Sequence, residues 1–220
     1  MLTLAMDAAT YSGSVALVDG GVVVAEAEAL MRGERAERLM PAVADTLKRA
    51  GVTPSEVERV VCGEGPGSFT SLRIAASIAK GLAVGVGVPL YAVSSLMLVV
   101  AGSDATMRPG RYLAVLDAMR GDAFAAGYEV MPGGDVVGLS PPVLVSREGA
   151  SDLADSLRAR MVGPGEALVA TPHARGVARL ATWWHSAEPV AVASWEPAYG
   201  RLAEAQVRWE AAHARPLPRS

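Results

Sequence analysis

Apolar residues fall into short β-branched runs and longer stretches with helical spacing, and the order of the two predicts an α/β chain. Leu2–Met6 reads as a buried strand ending in Asp7. Ser14–Val18 and Val22–Ala29 read as two more strands joined by the hairpin turn Asp19-Gly20-Gly21. Glu34–Ala50 has Ala36, Leu39, Met40, Val43, Ala44 and Leu47 at helical spacing. Pro41 belongs in a first turn, so regular helix is predicted from about Glu37 to Met40 onward, ending at Gly51. Thr53-Pro54-Ser55-Glu56 is a capping box that opens a short helix. A strand at Val60-Val61-Cys62, a helix over Phe69–Val86, a strand at Pro89–Val93 and a helix capped by Ser94 follow. The polar stretch Gly102–Gly110 is the best place for a domain boundary, which divides the chain into residues 1–102 and 103–220.

The second half echoes the first. Arg111–Asp117 is again a strand ending in Asp, and Ala123–Val130 and Pro141–Val145 read as its neighbours. Ser146–Arg158 is a helix, with Ser146 or Ser151 as cap, Met161–Gly163 a short strand, and Ala167–Leu180 ambiguous. A C-terminal helix is predicted over Glu196–His213, packing back on the first half.

The turn Gly63-Glu64-Gly65-Pro66-Gly67-Ser68 joins the short β-branched run Val60-Val61-Cys62 to the long helix. Its glycines permit positive φ and close approach, and Ser68 or Thr70 can cap the helix. Such a helix start suits an anion, but the spacing fits neither G-x-x-x-x-G-K-[ST] nor G-x-G-x-x-G. In the helix, Arg73, Ser77 and Lys80 form a narrow polar stripe, and nearly everything else is apolar or small. A helix of that kind is buried on more than one side. The second layer is either another chain or the protein's own core.

Composition narrows the classes. The 220 residues are 51% hydrophobic and 20% charged, so a sizeable core is expected. The net charge of −3 is not that of an autonomous nucleic-acid binder. The single cysteine, Cys62, excludes an internal disulfide and fits a reducing compartment. The start lacks a signal-peptide pattern and no membrane-spanning run is evident, so a cytoplasmic protein without membrane association is expected.

Paired strands after an acidic strand end are also how actin-like ATPases and sugar kinases begin. There the turn holds phosphate and the Asp holds a metal-bound water. Here the turn Ala8-Ala9-Thr10-Tyr11-Ser12-Gly13 has no Lys or Arg and one glycine, a weak phosphate clamp. Asp7, Thr10 and Asp117 are candidates for a vestigial nucleotide site; a strand-end Asp can equally serve only to satisfy loop amides. No two of His173, His185 and His213 stand at i, i+4, so one helical face cannot present a metal-binding pair. No Ser-His-Asp or His-Glu-x-x-His constellation is visible.

Gly65-Pro66-Gly67-Ser68-Phe69-Thr70-Ser71-Leu72-Arg73, followed by Ala79-Lys80-Gly81-Leu82-Ala83, resembles the signature of the TsaB (YeaZ) family. Asp7-Ala8-Ala9-Thr10 with Ser14-Val15-Ala16-Leu17, Glu37-Arg38-Leu39-Met40-Pro41, Asp117-Ala118-Met119-Arg120-Gly121-Asp122 and Pro197-Ala198-Tyr199-Gly200-Arg201 extend the resemblance along the whole chain. Ser71, where the family usually has Gly, and Arg35, where a His-Ser-Glu start is common, depart from it. The resemblance implies an actin-like, ribonuclease-H-like fold of two α/β lobes with mixed sheets flanked by helices. It implies a non-catalytic subunit in forming N6-threonylcarbamoyladenosine at position 37 of tRNAs reading ANN codons. The partners it implies are a TsaD-like catalytic subunit, a TsaE-like ATPase and, through the complex, tRNA, with a homodimer when the chain is alone. ATP and a divalent metal would belong to the partners, with no cofactor or metal bound by this chain. The partner interface is expected at Leu39, Met40, Val43, Leu47, Phe69, Leu72, Arg73, Ala76, Ala79, Lys80 and Ala83. The alternative reading is a nucleotide-dependent kinase or transferase of the actin-like class, which would need a phosphate clamp, a metal-binding acid and a base around one pocket.

Overall fold

The structure is a computed structural model that describes residues 1–31 and 37–200. Two mixed sheets carry it. The first has the order β3-β2-β1-β4-β5, with β1 (Leu2–Asp7), β2 (Ser12–Asp19), β3 (Val22–Leu30), β4 (Arg59–Gly63) and β5 (Leu90–Val93). β1, β2 and β3 are antiparallel neighbours, while β4 and β5 extend the sheet in parallel. The hairpin turn falls where the sequence put it, with Gly20 at φ 54° and Gly21 at φ 85°, the positive pair that a type I′ turn needs.

The second sheet has the order β11-β10-β6-β7-β8, with β6 (Gly110–Asp117), β7 (Asp122–Val130), β8 (Val136–Gly138), β10 (Arg160–Gly163) and β11 (Leu168–Val169). β9 (Val143–Ser146) also pairs with β7. The pattern repeats the first sheet: an antiparallel pair, then two parallel strands beside its first member. The echo seen in the sequence is therefore a repeat of topology. The sequence missed β8. The ambiguous stretch after Ala167 resolves into β11 and a 3-10 segment over Ala174–Arg179.

Alternation along the strands sorts the residues into layers. Leu4, Met6, Val15, Leu17, Val60 and Cys62 face one way, under α1 (Leu39–Ala50) and α2 (Phe69–Val86). Leu113, Val115, Ala123 and Ala125 face α4 (Arg147–Leu157). The opposite faces of both sheets meet in one shared core. Ala5, Ala16, Val18 and Val61 of the first sheet and Tyr112, Ala114, Leu116, Phe124 and Ala126 of the second pack around α3 (Ser95–Ala101) and Val177 and Leu180. In α3 only Met97 escapes full burial, as a short helix between two sheets requires.

Helix ends follow local chemistry. Gly51 and Gly87 close α1 and α2 in the left-handed region. The capping box at Thr53 and Glu56 is present. Ser68 and Ser94 occupy N-cap positions but make no capping bond; Ser68 pairs with Ser71 Oγ at 3.0 Å and Ser94 with the Tyr128 hydroxyl at 3.3 Å. Regular helix in α1 begins at Leu39, and residues 32–36, including the predicted helix start over Glu34 to Ala36, lie outside the described residues. The helix predicted over Glu196–His213 does not form over 196–200, and its remainder lies outside the described residues. By length and composition α2 could cross a membrane, yet Leu72, Ala75, Ala79 and Ala83 are packed in the protein's own core.

The β6–β7 turn holds Met119 at φ 65°, Arg120 at φ 60° and Gly121 at φ 86°, closed by the Asp122 amide donating to the Met119 carbonyl at 3.2 Å. Arg at the first central position of such a turn carries a steric cost that Asn largely avoids. Arg120→Asn is expected to raise stability by about 0.5–1 kcal/mol. Urea unfolding checks it, and an unchanged or lower midpoint would count against the strain.

Candidate functional site

The acidic end of β1 lies between the two sheets. Asp7 is fully buried. Its Oδ1 accepts the Ala9 amide at 2.8 Å and its Oδ2 accepts the Ser95 hydroxyl at 2.5 Å. Ser95 Oγ in turn accepts the Gly65 amide at 3.0 Å, so one hydroxyl joins β1, the glycine turn and α3. Gly63 is required beside them: a Cβ there would stand 1.8 Å from Asp7 Oδ2. Burial pushes the Asp7 carboxyl above the ordinary carboxylate range, and the two hydrogen bonds offset only part of that. Burial likewise raises Glu64, at the end of β4, and the Tyr128 hydroxyl, to about 12. The Cys62 thiol is also raised by burial, as suits a core side chain rather than a nucleophile.

The turn after β1 is closed by the protein itself. The Ser68 amide donates to the Ala9 carbonyl at 2.7 Å, and a Cβ at Gly67 would lie 2.2 Å from that same oxygen. Thr10 Oγ1 donates to the Ser12 carbonyl and accepts the Ser12 amide, which locks the turn internally. The chain's later residues cover the glycine turn from outside. The Ala198 amide donates to the Glu64 carbonyl at 2.7 Å, Tyr199 stacks on Phe69 with ring centroids 4.4 Å apart, and Gly200 fits against Phe124 and Pro66. Asp117, the equivalent strand end in the second sheet, is exposed and accepts the amide of Met119 at 2.9 Å. The three residues named from sequence as a nucleotide site thus serve loop amides or hydroxyls: Asp7 and Thr10 adjoin one turn, and Asp117 caps another.

The histidines do not converge. His173 is buried, accepts the Arg175 amide on Nδ1 and places Nε2 3.6 Å from Glu28; burial, then the neighbouring Arg175, push its pKa down. His185 lies on the surface against the Ala181 carbonyl, and His213 is outside the described residues. Among the described residues no three His, Cys, Asp or Glu side chains are grouped to hold a metal.

The other predicted site lies on α1 and α2, and here the side chains divide. Leu39, Val43, Leu47, Leu72, Ala76, Ala79 and Ala83 are buried beneath their own helices. They support the surface and do not form it, a correction to the reading that placed Ala76 and Ala79 at a partner contact. Met40 and Arg73 are exposed, and Phe69 and Lys80 half-buried. Lys80 Nζ stands 3.8 Å from Glu196 and 5.8 Å from the Trp195 ring. The exposed strip of α2 forms an open groove of about 520 Å³ lined by Glu37, Phe69, Thr70, Arg73, Ile74, Ser77 and Ile78. The interface expected from sequence left out Ile74, Ser77 and Ile78, although the polar stripe of Arg73, Ser77 and Lys80 marked that side.

Two α/β lobes of matching topology define the actin-like, ribonuclease-H-like class of folds. Residues 16–137, more than half of the chain, match the family described as "TsaD: tRNA N6-adenosine threonylcarbamoyltransferase". The chain belongs to this family, and within it to the TsaB (YeaZ) proteins. It is 40% identical over 129 residues to the Escherichia coli K12 "tRNA threonylcarbamoyladenosine biosynthesis protein TsaB", a match covering 59% of this chain and 55% of that protein. It is 32% identical over 136 residues to the Bacillus subtilis protein of the same name, covering 60% and 57%. The chain thus spans little more than half the length of these curated relatives. The solved structure of YeaZ from Pseudomonas aeruginosa aligns over 90% of this chain and 99% of its own, with 28% identity and a TM-score of 0.74.

The raised Asp7 carboxyl has a consequence for pH dependence. Its folded pKa lies above its unfolded value, so its contribution favours the fold below the ordinary carboxylate range and is lost as pH rises through the folded pKa. Asp7→Asn keeps an acceptor for Ala9 and removes the buried charge. The stability of wild type relative to this variant is therefore expected to increase as pH falls from neutral toward about 4. Thermal melts across that range check it; a difference independent of pH would refute the buried charge.

Proposed function

We propose that this protein is a non-catalytic subunit of the cytoplasmic machinery that forms N6-threonylcarbamoyladenosine in tRNA. In this reading it binds and supports a TsaD-like catalytic subunit, works with a TsaE-like ATPase and meets tRNA through the complex. The observation that carries the non-catalytic part is the closed turn after β1. The Ala9 carbonyl is taken by the Ser68 amide, and Gly67 packs so closely on it that a Cβ there would lie 2.2 Å from the same oxygen. A phosphate clamp also needs positive charge, and Ala8 to Gly13 contains no Lys or Arg. The relatives' printed names, tRNA threonylcarbamoyladenosine biosynthesis proteins, support the pathway. The kinase or transferase alternative would need the acids to act on a nucleotide, whereas Asp7 is sealed by Ser95 and Ala9.

In this reading the partner, or a second copy when the chain is alone, docks on the groove of α2 beside Met40. A groove that leaves Ile74 and Ile78 half-buried is suited to such a contact. ATP is expected to bind the isolated chain weakly. Calorimetry is the test, and a dissociation constant near 1 µM, about −8 kcal/mol, would revive the kinase reading.

The reconstitution mixes the purified chain with the catalytic subunit, the ATPase, ATP, threonylcarbamoyl adenylate and unmodified tRNA, then measures complex mass and modified tRNA. Modification should require all three, and transfer by this chain alone would overturn the non-catalytic role. Ser77→Trp should stay folded and lose association, because Ser77 is exposed in the groove. Ala79→Trp should lose stability by about 1–3 kcal/mol or more through overpacking. A Ser77→Trp protein that associates normally would place the interface elsewhere.

A further inference from the structure

The N-terminal ends of β6 and β10 gather four exposed arginines, Arg108, Arg111, Arg158 and Arg160. The contacts around Tyr112 and Leu157 bring them together. Arg160 donates to the Tyr112 hydroxyl and lies 4.6 Å over its ring, while that hydroxyl donates to the Arg108 carbonyl at 2.8 Å. Arg160 is paired with Tyr112 in the β6–β10 register. Arg111, the residue before Tyr112, reaches the Leu157 carbonyl at 3.4 Å, next to Arg158.

Carboxylates are close in the fold but do not neutralise the group. Glu129 stands across from Arg111 in the β6–β7 register, and Asp155 precedes Arg158 on α4, where its carbonyl accepts the Arg158 amide. The ion pairs of arginine among the described residues are made by Arg49, Arg147 and Arg175, and none by these four. Arg158 also occupies a left-handed helix end at φ 51°, a position where glycine would remove the strain and the charge together.

We propose that this arginine end of the second lobe contacts the phosphate backbone of RNA directly. The guanidinium is planar, always charged and matched to phosphate oxygens. Several cations without carboxylate partners, on a chain of net charge −3, concentrate positive potential at one end of the molecule. A lipid surface fits less well, because Met107 is the exposed large apolar neighbour and one methionine makes no apolar face to insert. The choice of RNA as the polyanion rests on the tRNA-modification reading above. It revises the sequence expectation that the chain meets tRNA only through its partners.

The test uses the full chain, a labelled unmodified tRNA transcript and anisotropy between about 50 and 200 mM salt, where phosphate contacts show as a salt slope. The double variant Arg108→Gln/Arg158→Gly removes two charges without touching a side-chain bond that holds the fold. Thermal melts confirm that it folds. Wild type should bind in the range of about 10⁻⁴–10⁻⁶ M near physiological salt and more tightly at low salt. The variant should bind about tenfold more weakly, and the slope of log affinity against log salt should fall by about 2, roughly one per lost contact. Equal affinity and slope in the two proteins would overturn the proposal. So would unchanged tRNA binding together with lost binding to phosphatidylserine-containing vesicles, which would assign the patch to lipid. Sedimentation with the catalytic subunit, run in parallel, separates the two readings. A chain that joins the complex but binds tRNA like its variant refutes only the patch, whereas a chain that never joins refutes the subunit role.

Discussion

A buried carboxylate is costly unless its oxygens are bonded, and Asp7 shows how the fold meets that demand. The Ala9 amide and the Ser95 hydroxyl supply the bonds, Gly63 leaves the space, and the Ser95 oxygen takes the Gly65 amide. Three segments distant in sequence are thereby fixed at one point: the end of the first strand, the glycine turn that starts α2, and the first residue of α3. Because α3 is the helix on which both sheets pack, the same point sets how the two lobes meet. Removing either donor would leave an unpaired oxygen where water is excluded, a loss of about 1–3 kcal/mol.

The two strand-end aspartates began as equivalents in the sequence and end in different environments. Asp7 is enclosed because α3 and the glycine turn cover the end of β1. Asp117 is open because the β6–β7 turn projects outward with Met119 exposed. Repeat topology does not impose repeat chemistry. What differs is the segment laid over each strand end, and that segment comes from elsewhere in the chain.

Local signals carried most of the fold that the sequence made legible. The Asp19-Gly20-Gly21 hairpin, the Gly51 stop, the Thr53 capping box and the Ser146 cap each follow from neighbours a few residues apart. What escaped depended on distant partners. β8 is three residues long and pairs only because β7 passes beside it. His173 to Arg179 reads as no regular element because its bonds go outward: the Ala174 amide to Ser14 Oγ, Arg175 to Gly102 and Glu26, and Arg179 to the Ala101 and Thr106 carbonyls. The small residues of α2 raised the same difficulty. Periodicity identified an apolar helix with one polar stripe, but whether Ala76 and Ala79 met their own sheet or a partner was decided by the layers around them.

That same division of α2 limits where a partner can act. The inner face of α2 packs on β4 and the core beneath α1 and α2, and the space between the two sheets is filled by α3 and the 3-10 segment after His173. Residues near 198–200 then cover the glycine turn, with Tyr199 on Phe69. The chain has closed the approach to β1 with its own backbone. In the proposed subunit role, binding free energy therefore comes from outer surfaces. The groove along Arg73, Ile74 and Ser77 and the arginine end of β6 and β10 lie on different lobes. A partner on one therefore need not exclude a polyanion on the other, as a subunit that joins a protein to an RNA would require.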